Sequence, residues 1–489
     1  MNSPMIRKIL GHIMRIEAIL MLLPCLVALI YKESVGFIYL TVAGLTAIVG
    51  SLLILKRTDD NTLYLKEGCV ATSLSWIVLS LIGAAPFAIS GEIPSYIDAL
   101  FETISGFTTT GSSILSDVEA LSHTALFWRS FTHWIGGMGV LVFLMSIVSL
   151  SGGSTINLMK AESPGPSVGK LTPKIKSTAR MLYLIYAGMT IVMIIFMLAG
   201  GCSLFDAVTI SCGTAGTGGF GIKNDSMAGY SPYIQWVVTI FMMLFGVNFN
   251  AFYFLIMRKF KEAFSIEEVK WYFAVIISSI AIIFINIRNI YSSAGEAVRH
   301  AAFQVASIIT TSGFATADFD TWNTNCKIVL VFLMFIGACA GSTGGGIKVS
   351  RFIVMLRTMK KEIGAYIYPK SVKKIMFEGK PADHEMVRSI NTYMVTYILL
   401  FGISLFLISL QGEDLVTTFT SVTTCINNIG PGLAKVGPTC NFGYMSIGSK
   451  LVLMFDMLAG RLELFPILIL LHPRMFKDLL VSSVKNMRK

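Results

Sequence analysis

Four short polar segments carry the residue types best suited to holding an ion. They are Thr109-Thr110-Gly111-Ser112, Thr217-Gly218-Gly219-Phe220, Thr311-Ser312-Gly313-Phe314 and Asn428-Ile429-Gly430-Pro431. In each the third residue is glycine, which takes backbone conformations that side chains disfavour. In three, a threonine adds a hydroxyl at the inner edge. Backbone carbonyls from four such loops, set around one axis, replace the water shell of a cation. One Thr-x-Gly match says nothing. Four in one chain, each following an amphipathic stretch and preceding an apolar run, predict one carbonyl ring folded from a single polypeptide.

A second segment breaks an apolar span with small and polar residues: Ala338-Cys339-Ala340-Gly341-Ser342-Thr343-Gly344-Gly345-Gly346. It resembles a phosphate-binding loop, but Ile347 displaces the lysine and no strand precedes it. Irregular backbone at membrane depth persists only where it is buried or lines water. The segment is therefore read as a gate that plugs the route below the ring and moves aside. A glycine kink at a helix contact is the plainer alternative, and the run is longer than a kink needs. Gly136-Gly137-Met138-Gly139, by contrast, reads as close helix approach. Arg461 lies inside the last span and is a functional candidate by default. Its expected role is to hold the gate's carbonyls or to repel the permeant ion, the plainer alternative being an ion pair with Asp456 or Glu463.

These residues need a frame. Of 489 residues, 54% are hydrophobic and 14% charged, against about 25% charged in soluble domains. Runs such as Phe37–Leu55 and Met181–Leu198 are as long as a membrane span. The fold class is an all-α integral membrane protein: a two-span N-terminal hairpin (1–68), then four pseudo-repeated units of span, short helix, polar loop and span. The units cover 69–150, 180–257, 271–357 with the gating loop 338–346, and 391–471, followed by a tail, 472–489. Asp98, Asp206, Glu296 and Asp414 are expected to open the short helices, whose amide end favours negative charge and whose carbonyl end then faces the axis. Trp128 and Trp236 hold equivalent places after the first two loops, and Gly139, Gly246, Gly341 and Gly460 recur in mid-span. Matches in one frame argue for a true internal repeat.

Most of the 39 lysines and arginines fall in alternate loops, which makes those loops cytoplasmic and puts both termini inside a ten-span protein. The +11 net charge suits anionic lipid headgroups rather than nucleic acid. No cleavable signal segment is readable at Met1–Arg15. The eight cysteines form no CxxC pair; only Cys326 and Cys440 fall where pairing is conceivable. The six histidines form no metal cluster, and no nucleophile–base constellation points to an enzyme.

The chain resembles the TrkH/TrkG/KtrB family of potassium uptake proteins over nearly its whole length. The resemblance rests on Ser105–Gly111, Trp134–Gly139, Thr217–Phe220, Ala340–Lys348 and Gly460–Glu463, and the N-terminal hairpin resembles the TrkH branch. It implies potassium as the permeant ion with no cofactor in this chain, and a homodimer with one pore per protomer. It also implies a cytosolic nucleotide-binding, RCK-type (TrkA-like) regulatory subunit, and location in a prokaryotic plasma membrane, the inner one if Gram-negative. The family's gating loop maps onto Ala338–Gly346, its pore arginine onto Arg461, and Gly111 favours potassium over sodium. Ser113 and Ala315 leave only one ring of glycines complete. The leading function is channel-like potassium uptake. The alternative is a secondary transporter coupling potassium to protons or sodium, although transporters tend to carry inverted repeats.

Overall fold

The computed structural model describes residues 1–55, 63–139, 175–370 and 374–475. Most of the basic 160–180 segment and nearly all of the 472–489 tail lie outside the described residues. The chain opens with α1 (Ser3–Leu20) and α2 (Leu22–Tyr31), joined at Met21. Pro24 explains the joint: it lacks the amide that would bond Leu20, and its ring crowds that carbonyl. α3 (Gly36–Leu55) returns against α1 at a glycine crossing. A Cβ on Gly11 would lie 2.8 Å from the Gly50 carbonyl, so the two backbones touch, the usual solution for helices in lipid.

The first unit is α4 (Leu65–Ser90), α5 (Tyr96–Phe107) and α6 (His123–Gly137). The second is α7 (Ile175–Ala199), α8 (Leu204–Gly216), α9 (Pro232–Phe245) and α10 (Phe249–Ile256). A short α11 (Phe260–Ser265) leads to the third, α12 (Glu267–Ile287), α13 (Ala294–Ile309) and α14 (Thr324–Ile336). Beyond an irregular stretch, α15 (Val349–Ile367) is followed by a two-strand hairpin, β1 (Met376–Phe377) and β2 (Lys380–Pro381). The fourth unit is α16 (His384–Ser409), α17 (Leu415–Ile426), α18 (Ile447–Arg461) and a final α19 (Phe465–Leu471).

Among the described residues six helices are long and apolar enough to cross a membrane, or seven if α9 and α10, bent by 94°, count as one. The count is of long continuous helices, and it takes no account of spans broken into shorter pieces. The helices that leave the polar loops stop short: α6 ends near Gly139 (φ 81°), α14 at Gly337 (φ 69°) and α18 at Glu463 and Leu464 (φ 58° and 65°). Leu29, Phe37, Ile285 and Leu399 stand more than half exposed on outer helices. Such wide apolar exposure calls for lipid. α4 is the inner member of the long set, with 67% of its apolar window buried.

Candidate functional site

The four short helices α5, α8, α13 and α17 begin alike. Ser95, Ser203 and Ser293 accept the amides of Asp98, Asp206 and Glu296, so the acids sit in the first turn rather than opening it. Only Asp414 is itself the cap, accepting the Thr417 amide at 3.0 Å. A serine cap followed by an acid three places on satisfies end amides and complements the dipole.

The four helices also end alike. Thr109, Thr217, Thr311 and Asn428 each take the left-handed conformation, with φ of 56°, 55°, 59° and 56°. Each following amide then bonds five residues back: Thr110 to Ser105 at 2.8 Å, Gly218 to Gly213 at 2.9 Å, Ser312 to Ser307 at 2.8 Å and Ile429 to Thr424 at 2.9 Å. This is a Schellman-type cap, built three times on a β-branched threonine that rarely tolerates it. The threonine hydroxyls are not equivalent. Thr217 donates to the Gly216 carbonyl at 2.6 Å and Thr311 accepts the Gly345 amide at 2.6 Å.

The glycines follow, with φ of 81° at Gly111, 74° at Gly219, 80° at Gly313 and 100° at Gly430. A Cβ on Gly111 would strike the Gly218 carbonyl, one on Gly219 that of Ser312, and one on Gly313 that of Ile429; on Gly430 it would lie 2.9 Å from the Thr110 carbonyl. Each glycine thus abuts the residue before the next loop's glycine, and the fourth returns to the first. The four loops close a ring in chain order. All four glycines line one open cavity of about 230 Å³. Ser112, Phe220 and half-buried Pro431 line it too, while Phe314 is fully buried.

Beneath the ring lies the irregular stretch between α14 and α15. The Gly345 amide reaches the Thr311 hydroxyl, and the Gly346 amide reaches the Asn427 carbonyl at 3.1 Å. Its other side is fixed to the bend between α9 and α10: Cys339 bonds the Gly246 carbonyl at 3.1 Å, Phe249 the Gly341 carbonyl at 3.0 Å, and the Thr343 hydroxyl the Phe245 carbonyl at 3.2 Å. Ser342 closes a local turn onto Cys339, Ala338 accepts the Val349 amide, and a Cβ on Gly344 would crowd the Thr310 carbonyl at 2.9 Å. From the fourth unit, Arg461 donates to Thr343 at 2.9 Å, and to Gly136 and Gly137 at 2.5 and 2.7 Å. The expected alternative partners are engaged elsewhere: Glu463 pairs with Arg351, and Asp456 accepts from Ser404 at 2.6 Å.

A family model described as a cation transport protein, TrkH, matches residues 38–478. The chain belongs to the TrkH family. It is 34% identical to the "Trk system potassium uptake protein TrkH" of Salmonella typhimurium, covering 98% of this chain and 100% of the relative. It is 31% identical to the "Trk system potassium uptake protein TrkG" of Escherichia coli, covering 96% and 98%. The crystal structure of the potassium transporter TrkH from Vibrio parahaemolyticus superposes with a TM-score of 0.87 at 30% identity, over 97% of this chain and 100% of that one.

Within this TrkH-family chain, two residues of the loop environment escaped the sequence reading. Lys348 is 2% exposed, its backbone stands at φ 80°, and its ammonium turns back onto the carbonyls of Gly344 and Gly345. A strained non-glycine residue here marks a constrained place; the sign was a lysine directly after the glycines. Glu268, at the start of α12, accepts the Ala340 and Ser350 amides at 2.8 and 2.9 Å, tying both ends of the loop to one carboxylate. Gly136 and Gly137 do pack closely, with a Cβ on Gly137 lying 2.7 Å from the Gly216 Cα. Cys326 and Cys440 do not pair; one is buried and the other exposed.

Proposed function

We propose that this chain takes up potassium through a channel-like pore whose filter is the four-glycine ring and whose gate is Ala338–Gly346. One observation carries the reading: each glycine lies against the backbone of the next loop, and the irregular stretch touches the underside of that ring at Thr311. Four helix carbonyl ends converge there, and their partial negative charge favours a cation. A dehydrated potassium ion is held by backbone oxygens and passed inward. In the closed state the loop is tied to the bend of the second unit, to Arg461 of the fourth, and to Glu268 below.

The assembly we propose is a homodimer in the plasma membrane, both termini cytoplasmic, with lipids around it. An RCK-type cytosolic subunit releases the loop. Recording from purified protein in a bilayer tests the reading. Unitary potassium currents independent of a proton gradient support it; flux that stops when the proton and sodium gradients are collapsed overturns it in favour of a coupled carrier.

A further inference from the structure

Between the first and second loops the ring wall contains a charge pair that the ion pathway does not require. Glu102 on α5 and Arg129 on α6 are 1% and 2% exposed. The guanidinium binds the carboxylate through Nε at 2.8 Å and Nη2 at 2.7 Å. Around this pair the contacts reach both loops. Ser113, two places past Gly111, donates to Glu102 at 2.9 Å and receives Arg129 at 3.4 Å. Gly221, two places past Gly219, accepts Arg129 at 3.2 Å. Glu102 also accepts the Ile114 amide at 2.9 Å, and the guanidinium lies 4.1 Å from the centre of the Phe220 ring.

The equivalent positions in the other units carry no such pair. They are Ile210 and Val237, Gln304 and Val331, and Ser421 and Gly448. A buried ion pair is costly to desolvate and weak evidence of stability. Its contacts give it another use. A planar guanidinium fixes distance and angle together: Nε and Nη2 converge on one Glu102 oxygen while Nη1 reaches the Gly221 carbonyl, so it spans corresponding residues of adjacent loops at the outer mouth. Arg129 also lines the open cavity, so its charge would repel an entering cation unless Glu102 cancelled it.

Resting on the filter reading above, we propose that Glu102 and Arg129 are positioning residues for ion selection: Arg129 sets the spacing of the first and second filter loops, and Glu102 neutralises it. The test uses full-length protein in liposomes, reading potassium-over-sodium preference from reversal potentials alongside thermal midpoint and inserted yield. Arg129→Lys keeps the charge and loses the fork. It is expected to lower the preference roughly tenfold, the factor for one charge-assisted hydrogen bond, with current persisting. Ser113→Ala leaves the pair intact, removes the hydroxyl it shares, and is expected to lower the preference about threefold. Glu102→Gln leaves the guanidinium uncompensated, so inward current should fall several-fold, most at low ionic strength where screening is weak.

Wild-type preference in both Arg129→Lys and Ser113→Ala, with protein inserted, overturns the brace. Should Arg129→Lys fail to insert, Ser113→Ala alone decides. The filter reading fails separately: that requires wild-type protein without potassium preference, or a Gly111→Ser variant whose preference is unchanged.

Discussion

Replacing Arg461 with alanine should open the pore in the absence of any cytosolic partner. Among the described residues its guanidinium meets carbonyls of two bodies. Thr343 is on the loop; Gly136 and Gly137 are at the end of α6. Of these three, the bond to Thr343 restrains the loop, while those to Gly136 and Gly137 join wall to wall and cancel to first order between closed and open states. A hydrogen bond from a charged donor contributes about 1.5–3 kcal/mol net. Its loss raises the open-to-closed ratio roughly ten- to a hundredfold, since each ~1.4 kcal/mol is a factor of ten. Arg461→Lys keeps the charge without the fork and should fall between. Deleting three residues from Gly341–Gly346 should act in the same direction, and the combination should add little because both break one contact. The assay is potassium flux into liposomes holding the chain alone, scaled to inserted protein. Arg461→Ala flux equal to wild type would refute the argument and leave the loop a packing feature.

Three further outcomes follow from the same geometry. Gly111→Ser places a Cβ against the Gly218 carbonyl at φ 81°, a strain of about 1–2 kcal/mol; the potassium preference should fall several-fold in reversal-potential measurements while insertion persists. Cysteine at exposed Ala228 should label only from outside and at exposed Lys360 only from the cytoplasmic side; labelling of both from one side would overturn the topology. Glu33 caps α6 from the N-terminal hairpin, accepting the His123 amide at 2.9 Å and the Thr124 amide at 3.0 Å. Burial pushes its carboxyl up, but the bonds from Thr124 and His123 outweigh that and hold it below the usual range. Its contribution is thus present above the unfolded carboxylate pKa of about 4.3 and lost as pH falls through the lower folded value. The difference in thermal midpoint between Glu33→Gln and wild type should be full at pH 7 and shrink only as the pH falls below about 4.

The ring loops were legible because glycine's role is written in its identity and recurred in frame. Their left-handed threonines were not, since nothing in a threonine announces a conformation that it disfavours. The irregular stretch Ala338–Gly346 showed because small residues interrupted an apolar run. Lys348 was hidden by the same run, where a terminal lysine reads as a failed phosphate loop. The breaks at Gly246 and Gly337 were not legible as helix ends, because hydropathy averages across them. Glu102 and Arg129 stand 27 residues apart, and Arg351 and Glu463 stand 112 apart. Only the closed fold brings such pairs together. The acids at the helix starts do lie in the first turn or at the cap, but the serine that makes three of the caps was not read.

Because the ring is closed by one chain, its quarters are free to differ, and they do. The loop under it belongs to the third quarter, the guanidinium that holds it to the fourth, and the buried charge pair to the seam of the first and second. A channel of four identical subunits must constrict symmetrically, like an iris. On the gate reading proposed above, this one would work like a door: the loop's ends meet at Ala338 and Val349, a single jamb, with Arg461 as the latch on the far wall. One pull on one helix moves such a door. One substitution likewise alters a single hinge or latch, where in a tetramer of identical chains it would alter four.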